Sequence, residues 1–245
     1  GTSQMLSVPY ALYAESAGNQ SDDQTLSLSG DTLSIVDGNS VVLPSSSSTG
    51  LEQVTEGGNT GRRLAGADPN NYGDIGAHAV DLSLSDIPSS TVWGYDSLGA
   101  TGMFSTAMGR YTTAFGSGST AMGQKTTASG VSSTAMGMFT NAYGYASTAM
   151  GYQTTASGDV STSMGSITTA SGYASTAMGE ATTASGNVST AMGSGTNAPS
   201  GFETSIGQYN NDYTPNSTTG WDNADRLFSV GNGTSSSARS NALTI

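Results

Sequence analysis

The sequence of 245 residues has no cysteine, so neither a disulfide framework nor a thiolate metal site can be built from it. Charge is scarce too: 10% of residues are charged, against roughly 25% in an average globular domain. Six Lys and Arg against eighteen Asp and Glu leave a net charge of −12, which repels phosphate backbones and supplies no basic stripe for nucleic acid. No run of eighteen apolar residues reads as a membrane-spanning helix. His78, the one histidine, stands in Gly76-Ala77-His78-Ala79 without a nucleophile arrangement around it. Asp68-Pro69-Asn70-Asn71-Tyr72-Gly73 has three positions of a calcium loop, but Tyr72 and Ala79 occupy two ligand positions, so a turn is the better reading. The expectation is a protein that is not an enzyme, with no catalytic residue, no cofactor and no metal.

What abounds is small. The chain holds 34 Gly, 41 Ser and 33 Thr, and few large aliphatics. Such a composition means either disorder or a short repeat, and a fixed interval decides for the repeat. Met108, Met122, Met136, Met150, Met164, Met178 and Met192 fall at constant steps of fourteen, each followed by Gly. A second glycine recurs half a period later at Gly116, Gly130, Gly144, Gly158, Gly172 and Gly186. Each unit therefore has two near-equal halves, x-x-S-T-A-M-G and x-x-T-T-A-S-G, with a degenerate eighth unit in Phe202-Glu203-Thr204-Ser205-Ile206-Gly207.

A few extended residues, then Gly and two variable positions, twice per period, predict two short strands and two corners, with Gly supplying positive φ at the corners. One period is then one coil of a parallel β-solenoid, and seven coils stack to about 34 Å. Strand alternation puts Thr106 and Met108 on one face and Ser105 and Ala107 on the other. The methionines are expected to form an internal structural ladder. The alanine column (Ala107, Ala121, Ala135, Ala149, Ala177, Ala191, with Ser163 in the fifth place) is expected to lie outside, against another chain. One Met, a few Thr methyls and two Ala per coil give too little apolar area to offset roughly 1–2 kcal/mol of ordering per residue. A homo-oligomer follows, with threefold symmetry suiting a fibre.

Large and charged residues of the periodic block collect in the two variable slots after each Gly. The candidate ligand surface is therefore Arg110, Tyr111, Lys125, Phe139, Tyr145, Tyr152, Tyr173 and Glu180. Paired threonines such as Thr112-Thr113 and Thr154-Thr155 raise ice binding as a minor alternative, weakened because adjacent strand residues point to opposite faces.

Around the repeats, residues 1–20 read as a connecting segment with helix-like spacing of Leu6, Tyr10 and Tyr13, and 21–50 as brief strands with a Ser-rich linker. Residues 51–103 read as an irregular β lead-in, 104–207 as the roll and 208–245 as a C-terminal β segment. The opening Gly1-Thr2-Ser3-Gln4 suggests a processed product or an excised fragment.

The S-T-A-M-G…A-S-G units resemble the YadA-like head repeats of trimeric autotransporter adhesins, with Thr and Met where that family usually has Val and Ile. The resemblance implies an all-β, left-handed parallel β-roll of intertwined homotrimers. It also implies extracellular display and attachment to cells, glycans or matrix. Leu6 to Ala14 and Asp225 to Leu243 resemble segments of secreted tail-fibre-type proteins of Bacteroidetes-like bacteria, which implies an alternative: a structural shaft or receptor-binding tail fibre of a phage or injection particle.

Overall fold

The computed structural model describes residues 26–29, 32–35, 40–42, 50–85 and 98–245. The expected helix-like stretch at 1–20, the expected turns at Gly30-Asp31 and Asp37-Gly38-Asn39 and the linker of Pro44 and Ser45–Ser48 lie outside the described residues. In the N-terminal unit, β1 (Leu26–Ser29), β2 (Thr32–Ile35) and β3 (Ser40–Val42) make a small antiparallel sheet in that order. The second unit, residues 50–245, is the solenoid with its two ends.

Each fourteen-residue period makes one coil from a five-residue strand and a two-residue strand, as in Thr148–Tyr152 and Thr155–Ala156. Every strand residue of the periodic coils pairs in parallel with its counterpart fourteen positions away, so Met136 lies beside Met150 and Ala142 beside Ala156. The long strands form one sheet and the short strands another. Neither sheet is confined to the periodic sequence. Val80–Leu84 takes the place of a coil before Thr106–Arg110, with Leu82 beside Met108, and Gly99–Ala100 precedes Thr113–Ala114. At the other end Phe228–Asn232 pairs in parallel with Thr204–Gln208, placing Val230 beside Ile206. The expected period ends at 207, yet one more coil position is filled from a segment twenty residues further on.

The lumen overturns one expectation. Ala107 and its column are wholly buried, together with the Ala114, Ser105 and Thr112 columns, whereas Met108 is 37% exposed and Met192 41%. The alternation is as expected, but the sides are reversed: alanine is inside and methionine outside. The reason is width. A coil of only fourteen residues, seven of them outside its two strands, brings those strands so close that only Ser, Ala and Thr fit between them. The methionines do form a register-perfect ladder, on the outer face of the long-strand sheet.

Glycine also serves differently from the expectation. At the corners the left-handed residue is ordinarily not Gly: φ is +56° at Tyr111, +52° at Lys125, +57° at Val160 and +57° at Ile167. Such conformations cost of order 1–3 kcal/mol, and each is held by a bond to the neighbouring coil, such as Val160 N–H to Tyr145 C=O at 2.7 Å and Ile167 N–H to Tyr152 C=O at 2.8 Å. The recurrent glycines are required by close stacking. A Cβ on Gly151, whose φ is +124°, would run into the backbone carbonyl of Gly165, and one on Gly158 into that of Gly172.

Hydroxyls line the lumen in two columns. Ser161 Oγ donates to Gly158 C=O at 2.6 Å. The other serines of its column make their backbone N–H bond to the equivalent glycine carbonyl, so that acceptor lies within a hydroxyl rotation. Threonine Oγ1 atoms such as those of Thr126, Thr140 and Thr154 have no hydrogen-bond partner. Thr168 differs because Ser163, standing in the alanine column, meets its Oγ1 at 2.8 Å.

Charged side chains close both ends of this lumen. β4 (Leu51–Glu56) and β5 (Asn59–Leu64) form an antiparallel hairpin that pairs onto Val80–Leu84, and so Arg63 and Asp81 extend the Ala107 column. The buried Arg63 guanidinium donates twice to Glu56, at 2.7 and 3.0 Å, and lies over the Tyr72 ring at 4.8 Å. Its Nε is 3.6 Å from Asp81 Oδ2, close enough for charge attraction and too long for a hydrogen bond. At the far end Glu203 takes the serine-column position. Its carboxylate accepts from Ser200 N–H (3.2 Å), Ser200 Oγ (3.2 Å), Ser205 Oγ (3.0 Å) and Tyr213 OH (3.2 Å). Burial raises its pKa above the usual carboxylate range, and these donors hold it back. Asn210 finishes the short-strand sheet by imitating a backbone: its side chain accepts from Asn197 N–H and donates to Asn197 C=O, each at 2.8 Å.

Candidate functional site

Because the lumen accepts only small residues between its charged ends, every large side chain of the seven regular coils is driven outward, and the two corners carry most of them. The first corner follows the long strand. It holds Arg110, Tyr111, Lys125, Phe139, Tyr152 and Glu180, six of the eight residues singled out from sequence. The Arg110 guanidinium lies 4.8 Å from the Tyr111 ring centroid, Lys125 Nζ 5.3 Å from that of Phe139, and Phe139 meets Tyr152 edge-on at 6.2 Å. Cations and rings of successive coils thus form a continuous, self-engaged strip. Glu180 lies on the same edge further along, beside Ser166 and Ser194.

Tyr145 and Tyr173 stand apart from that strip, on the second corner, and both are more than half exposed. Residues of the intervening and following coils fix their backbones: Asp159 Oδ1 accepts the Tyr145 N–H at 2.8 Å, and Asn187 Oδ1 the Tyr173 N–H at 3.0 Å. Around them the structure adds exposed rings that the variable-slot reasoning passed over. Phe115 and Tyr143 occupy the position before the second glycine, where serine usually stands, and Phe202 ends the last such corner. A spacing of twenty-eight residues, Phe115 to Tyr143 and Tyr145 to Tyr173, was the available signal.

The other sequence features settle as local structure. Asp68 caps a single 3₁₀ turn over Pro69–Asn71, accepting from Asn70 N–H at 3.0 Å and Asn70 Nδ2 at 2.8 Å. His78 is an exposed left-handed corner residue whose ring stacks on Phe104 at 5.1 Å. In the threonine pairs one member faces the lumen and the other lies on the outer side of the short strand, where Asn141 and Asn197 interrupt the column. Among the described residues no helix is long and apolar enough to cross a membrane.

The family model of the YadA head domain repeat (2 copies) matches residues 100–126, 116–140, 142–166 and 170–196. No curated protein matches the chain. The matched segments coincide with the regular coils, where strand, glycine and corner recur without a slip, so it is the coils between residues 100 and 196 that are similar to the YadA head domain repeat.

Proposed function

We propose that the chain is the non-enzymatic head of a trimeric fibre displayed outside the cell, and that the corners of its coils are the surface that attaches to other cells or to extracellular matrix. The observation that carries the oligomer is the outer Thr–Met face. Its apolar column runs in unbroken register from Leu82 through Met108 to Met192, Ile206 and Val230, and is left partly exposed by the single chain. An ordered apolar stripe of that length matches the face of an identical chain, and burying it supplies the hydrophobic area that the narrow lumen lacks. In the proposed trimer the contact between copies lies on the methionine side.

Sedimentation of the intact chain is expected to give a three-chain species, and Met136→Glu with Met150→Glu is expected to dissociate it. A wild-type monomer that stays folded overturns the assembly. Beads coated with the trimer are expected to adhere to cultured cells or matrix-coated surfaces. Trimers that adhere to neither would make the head a spacer and overturn the attachment reading.

A further inference from the structure

On the second corner, aromatic residues occur on alternate coils from Phe115 onward; Phe104, on the coil before, is taken up by its stack with His78. Phe115 belongs to one coil, Tyr143 and Tyr145 to the coil two further on, Tyr173 two beyond that, and Phe202 two beyond again. The coils between them offer Ser and Val, then Ser and Asp159, then Ser and Asn187. All five rings are about half exposed, and Asp159 is the one charge on this corner between Phe115 and Phe202. Two coil steps span about 10 Å, and the whole line of rings about 29 Å.

That period has a chemical counterpart. In an extended β-1,4-linked polysaccharide each sugar is turned over relative to the one before, so the same apolar C–H face returns on every second residue, after about 10 Å, the same two-coil step. An aromatic ring presents a negatively polarised face that attracts such C–H surfaces. We propose that the second corner is a binding track for an uncharged β-1,4-linked polysaccharide lying along the coil axis, with every second sugar on a ring. The net charge of −12 and the carboxylate of Asp159 select against an acidic polymer. The low-profile coils between the rings leave room for the sugars that face the other way, and Asp159 and Asn187 keep the tyrosine corners in place. On the first corner Tyr111 and Phe139 also stand two coils apart, but cations already cover both, and Tyr152 follows on the very next coil and meets Phe139 edge-on, so no open line of evenly spaced rings results.

The track rests on the attachment reading above but is tested separately. Calorimetric titration of the full chain with cellohexaose and chitohexaose is expected to show binding of at least one. The hexamer should bind at least tenfold more tightly than the matching disaccharide, because it reaches several rings. Maltohexaose, whose α-1,4 linkages curve the chain, is expected not to bind. Tyr145→Ala with Tyr173→Ala should weaken the hexamer at least tenfold, and Tyr145→Phe with Tyr173→Phe should retain it. Absence of binding by both β-1,4 hexamers, equal binding of maltohexaose, or an unchanged affinity of the double Ala variant overturns the track. A changed sedimentation coefficient of the double Ala variant also overturns it, since the tyrosines would then join copies of the chain. The hexamer titrations use the unaltered protein and stand even if the variants misfold. Beads carrying the double Ala variant separate the two readings: loss of hexamer binding with undiminished cell adhesion leaves attachment intact and assigns it to another surface.

Discussion

Two neighbouring residues of one strand, Ala149 and Met150, show the two halves of this protein. Ala149 is wholly buried in the lumen, where its counterparts in the other fourteen-residue coils are alanine or, at Ser163 and Ser205, serine. Met150 points outward onto a face that one chain leaves partly open, and three residues further on, at the corner, side chains range from glycine to tyrosine. The lumen is constrained by volume, with two sheets too close for anything larger than threonine. The corners are constrained by backbone conformation and leave the side chain to vary, which is where recognition can be built without disturbing the stack.

The largest effect should come from enlarging the lumen. Ala149→Leu has no space to enter. Overpacking of an ordinary core costs about 1–3 kcal/mol, and here the backbone of both adjoining coils must shift as well. Urea denaturation should show a loss at the top of that range or beyond. Ala149→Ser should instead be tolerated to within about 1 kcal/mol, because its hydroxyl can meet the unpaired Thr154 as Ser163 meets Thr168. If both variants unfold equally, volume is not what governs the lumen.

A smaller effect is expected at the C-terminal end. Burial raises the Glu203 pKa in the folded protein, so the folded state holds its proton more tightly than the unfolded one. The stabilisation is therefore fully present below the ordinary carboxylate range and is lost as pH rises through the raised folded value. Glu203→Gln should remove this dependence, so the melting temperature of the variant relative to wild type should climb between acid and neutral pH. A difference independent of pH would contradict the burial effect. Least of all should follow from Tyr152→Ala, a half-exposed corner residue, for which the denaturation midpoint should correspond to a change within about 0.5 kcal/mol.

Much of the coil was readable from the residues because its constraints are local and repeat. Met108, Gly109 and Gly116 recur at intervals that specify strand, corner and stacking, and eight outward corner residues could be named from their slots alone. The line of rings on the second corner was less visible. It combines Phe115, Tyr143, Tyr145, Tyr173 and Phe202 from three different positions of the repeat, and only stacking the coils brings those positions onto one edge. The Phe228–Asn232 strand was hidden for a related reason. Its Ser-Val-Gly continues the alanine, methionine and glycine columns, but a connection of nineteen residues after Gln208 breaks the interval that would have revealed it.

By itself the sequence determined the period, the strand-and-corner rhythm, the division of each strand into two faces and the crowding of large residues at the corners. All of these follow from residue types recurring at fixed spacing. Which face is enclosed was decided only by the tertiary structure, because alternation is symmetric between the sides of a strand. The separation of two strands joined by fourteen-residue coils makes the lumen narrow enough to take alanine and to turn methionine outward.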